Sequence, residues 1–234
     1  MQPFRFKLSN DGTVAGVHSI PKESTSPVKY RPLILGLHGT PNFSASIASQ
    51  PFGVPFVSID QSSDFYAETG RWVHQYILPT LWAEIGVPNQ CNSIVLLTHS
   101  LGVMGDIVAA ALHAQDNEPL YPLSGRIANG INTSIDENHV LFPAKKKDAR
   151  KFKPGIVTRK ILDLCEHFNA VSPIPEIYQF PTMVSVPVLF SLVEDNPFFV
   201  TDEAELEICA RAFGKSVHVE RVLIRDAPHC MELS

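Results

Sequence analysis

Short, nearly continuous apolar runs recur along the chain at Pro32–His38, Val54–Ile59, Ser93–Thr98 and Val186–Val193. Runs of this length and character predict strands whose two faces are both covered by helices. Longer stretches of helical character separate them. Ala67 to Ile85 carries Trp72, Tyr76, Leu78, Leu81, Trp82 and Ile85, Leu101 to Ala114 is dense in alanine, and Asp202 to Phe213 opens with acids at its positive dipole end. Ahead of these, Arg5–Leu8 and Thr13–Ile20 flank the turn residues Asn10-Asp11-Gly12 and predict an antiparallel hairpin. A further strand is expected near Ser124–Ala128, and Val217–Ile224 shows the partial alternation of a half-exposed edge strand. Strands alternating with helices predict an α/β fold with a mostly parallel central sheet and right-handed crossovers.

Composition narrows the picture. A chain of 234 residues fits one α/β core with an insertion, and no internal repeat appears. With 44% hydrophobic and 18% charged residues and a net charge of −5, nothing in the global charge favours a nucleic-acid partner. The N-terminal residues Met1–Lys7 lack a signal-peptide run, and the charge-free stretch Pro32–Ile59 is broken by Pro, Gly, Ser, Asn and Gln, so a cytoplasmic protein without a membrane span is expected. Cys91, Cys165, Cys209 and Cys230 are scattered without a paired spacing. Neither a metal site nor a disulfide framework is signalled.

The sharpest chemical signal is Leu96-Leu97-Thr98-His99-Ser100-Leu101-Gly102, an apolar strand passing directly into a helix with a serine at the junction. Such a turn lifts the serine hydroxyl clear of the backbone, and the helix N-terminus then faces any oxyanion formed beside it. The positions two before and two after the serine need small residues. Gly102 satisfies this, whereas Thr98 stands where the G-x-S-x-G pattern has glycine. Ser100 as a plain helix N-cap is the competing reading.

His38-Gly39-Thr40-Pro41 follows the earlier strand where the α/β-hydrolase fold family carries its oxyanion loop, and with the serine turn the chain resembles that family over nearly its whole length. The resemblance implies an oxyanion hole made of backbone N–H groups. Pro41 has none to give, so Thr40 and Leu101 are the expected donors. It also implies that His38 braces the loop, and that the base lies in the polar turn after the last strand, Asp226–Ser234, where His229 stands. Imidazole titrates near neutrality and can take the serine proton and return it to a leaving group. The remaining histidines carry no accompanying motif. The family's register after Pro187-Val188-Leu189 puts Asn196 at the acid position, so the expected orienting acid is Asp195, displaced by one residue, with Glu194 and Asn196 as alternatives. Cys230, next to His229, has no oxyanion donor indicated near it and is not expected to be a nucleophile.

The family often carries a cap in the segment 134–183, leaving 1–133 and 184–234 as the core. Lys145–Lys153 places six of the 19 basic residues in nine positions, which reads as a solvated face or as a contact for an anionic substrate handle. Two pieces look short against the family: the loop between Ile59 and Ala67, and the end at Ser234, where relatives continue into a final helix. Either a partner subunit, as in a homodimer, covers the face that helix would cover, or the enzyme is a trimmed form. Residues 68–72 and 228–234 are most similar to fungal members, some of which serve natural-product assembly. The resemblance implies a serine-dependent acyl hydrolase or transferase, of esterase or thioesterase kind, acting through an acyl-enzyme on a largely apolar ester, thioester or lactone, with no cofactor. Two other readings are a hydrolysis-deficient relative that binds, cyclises or isomerises a polyketide-like molecule, and a non-catalytic dimerising protein.

Overall fold

The computed structural model describes residues 2–21, 31–37, 54–59, 66–99, 102–129, 180–195 and 201–228. Eight strands form one sheet: β1 (Gln2–Lys7), β2 (Thr13–Ser19), β3 (Pro32–Leu37), β4 (Phe56–Ile59), β5 (Ser93–His99), β6 (Leu123–Asn129), β7 (Val188–Asp195) and β8 (Val219–Pro228). Their order across the sheet is β1-β2-β4-β3-β5-β6-β7-β8. The hairpin β1/β2 and the β2/β4 pair are antiparallel, and every pair from β4 through β8 is parallel. The predicted leading hairpin and parallel body are therefore both present.

The hairpin turns where the sequence places its turn residues. Asp11 takes a φ of 64°, and the Gly12 N–H donates to Asn10 Oδ1 at 3.1 Å. In the sheet's centre, Leu33, Leu35, Ile94 and Leu96 are all fully buried. Ile34, Val95 and Leu97 on the alternate face are half-buried, so both faces carry apolar side chains, one fully and one partly covered, and these strands read as apolar runs.

The helix predicted from Ala67 to Ile85 is a continuous helical segment that changes pitch twice. It runs through α1 (Tyr66–Trp72), a π-helical turn (Val73–Ile77), α2 (Leu78–Leu81) and a second π-helical turn (Trp82–Gly86). Pro79 lies at the start of α2 and has no N–H for the ladder, so the turn before it widens instead of breaking. Val73, Ile77, Leu78, Leu81 and Ile85 form its buried face. Helix α3 (Gly102–His113) packs against α1 through glycine: a Cβ on Gly70 would overlap Val108 Cβ and come 2.7 Å from the Gly105 carbonyl oxygen. Helix α4 (Glu203–Arg211) is capped by Asp202, whose side chain accepts from the Glu205 N–H at 2.8 Å. It packs against β7 and β8.

Strand β8 runs four residues beyond the predicted end at Ile224. A bulge allows this: Val193 pairs with Ile224 but Asp195 pairs with Pro228, and inside the irregularity Asp226 adopts a φ of 52°. The cap segment lies outside the described residues up to 179. Phe180, within the last part of that segment, is buried in the core.

Candidate active site

The parallel strands end on one rim. Along it Leu37 of β3 pairs with Thr98 of β5, His99 with Asn129 of β6, and Asn129 with Ser191 of β7. The strands that end here are the ones that precede the expected site residues in the chain. After Leu37 comes the His38–Pro41 segment; after His99 come Ser100 and Leu101; after Asp195, Asn196; after Pro228, His229. Ser100, Leu101, Thr40 and His229, four of the five expected site residues, lie outside the described residues, as do His38 and Asn196. Asp195 is described.

β5 ends at His99 and α3 begins at Gly102, so only Ser100 and Leu101 join strand to helix. The strand and the helix expected on either side of the serine are thus present, with Gly102 as the first helical residue. Thr98 is buried at the end of β5, and its hydroxyl lies 2.7 Å from Asp106 Oδ2 and 3.2 Å from the Ile127 carbonyl oxygen. A threonine is accommodated at this position because its one polar atom has a partner inside the fold. Asp106, from the first half of α3, receives Arg126 of β6. Nε lies 3.0 Å from both carboxylate oxygens and Nη2 2.7 Å from Oδ2, with both side chains fully buried. The guanidinium carbon stands 4.9 Å from the centre of the Phe213 ring. One residue nearer the rim than Ala128, Asn129 Oδ1 accepts from the Ser191 hydroxyl at 3.1 Å.

At the other end of the rim, Asp195 closes β7 and stands across from Pro228, the residue before His229. β8 lies three strand spacings from β5, about 14 Å. The neighbour of Asp195, Glu194, is otherwise occupied. Glu194 Oε2 accepts from the Asp226 N–H at 3.0 Å, Oε1 from Arg225 Nη1 at 3.0 Å, and the Glu194 carbonyl oxygen from the Thr201 hydroxyl at 2.9 Å. The Asp226 N–H, helped by the Arg225 charge, holds the Glu194 carboxyl below its ordinary range. Of the acids weighed for the orienting role, Glu194 is spent on shaping the bulge.

Reading the chain alone missed Asp106 and Arg126. Their signal was a single charge of each sign in an otherwise apolar helix, GVMGDIVAAALH, and in an apolar strand, LSGRIAN. Among the described residues no group of three or more His, Cys, Asp or Glu side chains is placed to hold a metal ion, and no helix is long and apolar enough to cross a membrane. Cys91 is buried, and burial pushes its thiol up, away from the reactive thiolate.

No family model and no curated protein matches the chain. Solved structures do. Est1E from Butyrivibrio proteoclasticus superposes with a TM-score of 0.60 at 16% identity, over 100% of this chain and 94% of that one. An esterase from Pyrococcus furiosus gives a TM-score of 0.62 at 14% identity, over 100% of this chain and 84% of that one. The acylaminoacyl peptidase of Pyrococcus horikoshii gives 0.61 at 15% identity, covering 99% of this chain but 38% of its own. Together with the strand order, these likenesses show that the chain has the α/β-hydrolase fold.

Proposed function

We propose that the protein is a serine-dependent acyl hydrolase in which Ser100 is the nucleophile, His229 the general base and Asp195 the acid that orients it. The observation that supports this reading is that β5, a central strand, ends at His99 and α3 begins at Gly102, with Ser100 one of the two residues between them in the chain. The Asp195–Pro228 pairing supports the rest, since it brings the acid beside the chain that continues into His229. The fold neighbours named as esterases and a peptidase add support for acyl chemistry.

In this mechanism Ser100 Oγ attacks the acyl carbonyl while its proton passes to His229. The oxyanion is held by the backbone N–H groups of Thr40 and Leu101. The tetrahedral intermediate collapses, the bond to the leaving group breaks, and His229 returns the proton to it. Water then attacks the acyl-enzyme with His229 again as base. The substrate class we propose is a largely apolar ester, thioester or lactone beneath a cap formed by 134–183.

The test is labelling with a fluorophosphonate probe followed by peptide mapping. Label on Ser100, lost together with ester hydrolysis in Ser100→Ala, is the expected result. Turnover retained in the alanine variant would overturn the covalent mechanism and favour a relative that cyclises or isomerises without an acyl-enzyme.

A further inference from the structure

Thr98, Asp106 and Arg126 form a buried chain that ties together the three elements surrounding the serine turn. They are 1%, 0% and 2% exposed, and they come from β5, α3 and β6. The Thr98 hydroxyl has one proton and two acceptors in reach, and the carboxylate oxygen at 2.7 Å is both nearer and charged. That hydrogen bond joins the residue two before Ser100 to the residue six after it, closing a loop of chain that contains the turn. Arg126 then fixes the far side of the loop, with three contacts of 2.7–3.0 Å to the same carboxylate.

Such an ion pair is a poor source of stability, because removing two charges from water costs about as much as their attraction returns. Arg126 adds to the cost: its Nη1 is buried without a hydrogen-bond partner among the described residues. What the arrangement does supply is one geometry. Apolar packing between α3 and β5 tolerates sliding or rotation by a fraction of an ångström. A guanidinium and a hydroxyl donating to the same carboxylate tolerate much less, since each contact is directional. The rim chemistry is sensitive to displacements of this size.

We propose that Thr98 is a positioning residue: its hydroxyl, seated on an Asp106 carboxylate that Arg126 immobilises, sets the placement of α3 against the end of β5. It thereby sets the aim of the Ser100 hydroxyl and the Leu101 N–H. The proposal rests on the reading of Ser100 as nucleophile. It also accounts for a threonine where the G-x-S-x-G pattern has glycine: here the side chain is part of the support beneath the turn.

The experiment compares the parent with Thr98→Val, which replaces the hydroxyl by a methyl group, and Thr98→Ser, which keeps the hydroxyl without the methyl group. Each is followed by ester turnover, by the rate of fluorophosphonate labelling and by hydrogen exchange of peptides covering 98–106. Thr98→Val is expected to lower kcat and the labelling rate by about 10- to 100-fold, with KM within about threefold of the parent. It should also speed exchange in 98–106 while leaving β6 unchanged. Thr98→Ser should stay near the parent in all three. A folded Thr98→Val with parental kcat and exchange overturns the proposal. So does a Thr98→Ser as impaired as Thr98→Val, which would make the methyl group the determinant. Should Thr98→Val not fold, Thr98→Ala carries the same comparison against Thr98→Ser. If the parent itself is never labelled, the nucleophile reading fails separately, and exchange alone decides whether the hydroxyl holds the junction together.

Discussion

Asp195, the last residue of β7, lies across the ladder from Pro228, with a bulge immediately before it that absorbs extra residues of β8. The bulge is held by Glu194, whose carboxylate receives the N–H of Asp226 and the guanidinium of Arg225. Two adjacent acids therefore have separate duties, one shaping the strand end and the other left at the rim beside the chain leading to His229.

That division predicts unequal effects of mutation. Asp195→Asn should lower kcat by roughly 10⁴-fold, because an amide favours the wrong imidazole tautomer. Glu194→Gln keeps an oxygen for the Asp226 N–H and should cost far less. Steady-state kinetics on one ester substrate checks both, and a fully active Asp195→Asn would move the acid elsewhere.

The buried Arg126–Asp106 pair makes a prediction about stability. Arg126→Met leaves Asp106 charged and unpaired in the core and should cost about 3–5 kcal/mol. The double variant Asp106→Leu/Arg126→Met removes both charges and should recover most of that loss. Urea unfolding of the parent, the single and the double variant measures the difference; a double variant as unstable as the single would show that the charges themselves hold the core.

The α1/α3 contact separates two glycines. In Gly70→Ala the new methyl group meets Val108 Cβ and the Gly105 carbonyl oxygen, and overpacking should cost about 1–3 kcal/mol. In Gly105→Ala the nearest neighbour is Thr69 Cγ2 at 3.3 Å, and the helix gains about 1 kcal/mol of propensity, so the change should be nearly neutral. Melting temperatures of the two variants should differ by several degrees.

A pH dependence follows from a cluster at the opposite end of the sheet from the rim. His74 Nδ1 lies 2.8 Å from the Tyr121 hydroxyl and Nε2 faces Asp116 at 3.4 Å, while His113 Nε2 meets the Tyr121 carbonyl oxygen at 2.9 Å. Burial pushes the His74 imidazole below its ordinary 6.5, the nearby His113 pushes the same way, and Asp116 opposes them. Burial also pushes the Tyr121 phenol up, so it stays protonated and donates to the neutral ring. Between the lowered folded value and 6.5 the unfolded chain binds more protons, so stability is full above about 6.5 and falls as the pH drops through that window. His18, also lowered by burial, acts in the same direction. Thermal melts between pH 7 and 5 should show a declining melting temperature, with a shallower decline in His74→Gln. An unchanged slope in that variant would remove His74 as a source.

Much of the fold is legible in the chain because burial imposes a period on sequence. Strands covered on both faces read as apolar runs, and β3, β5 and β7 stand within two residues of where those runs place them. The hairpin turn is legible for a local reason, since the left-handed φ at Asp11 and the Asn10 side-chain bond involve only neighbours. The wider pitch of Tyr66–Gly86 is less so: Pro79 marks the place, but how the helix adjusts depends on what it packs against.

The candidate site divides along the same line. Ser100 between an apolar strand and a helix, and His229 after the last strand, are local patterns that the amino-acid order alone could state. That Glu194 is taken up by Asp226 and Arg225 is not, because it depends on a bulge formed between β7 and β8, about thirty residues apart in the chain and joined only by cross-strand pairing. The pairing of Asp106 with Arg126, and the seat it provides for Thr98, were likewise decided in three dimensions. A lone charge in an apolar run announces that a partner is needed, but the partner is chosen by which helix packs on which strand, and that choice belongs to the folded core.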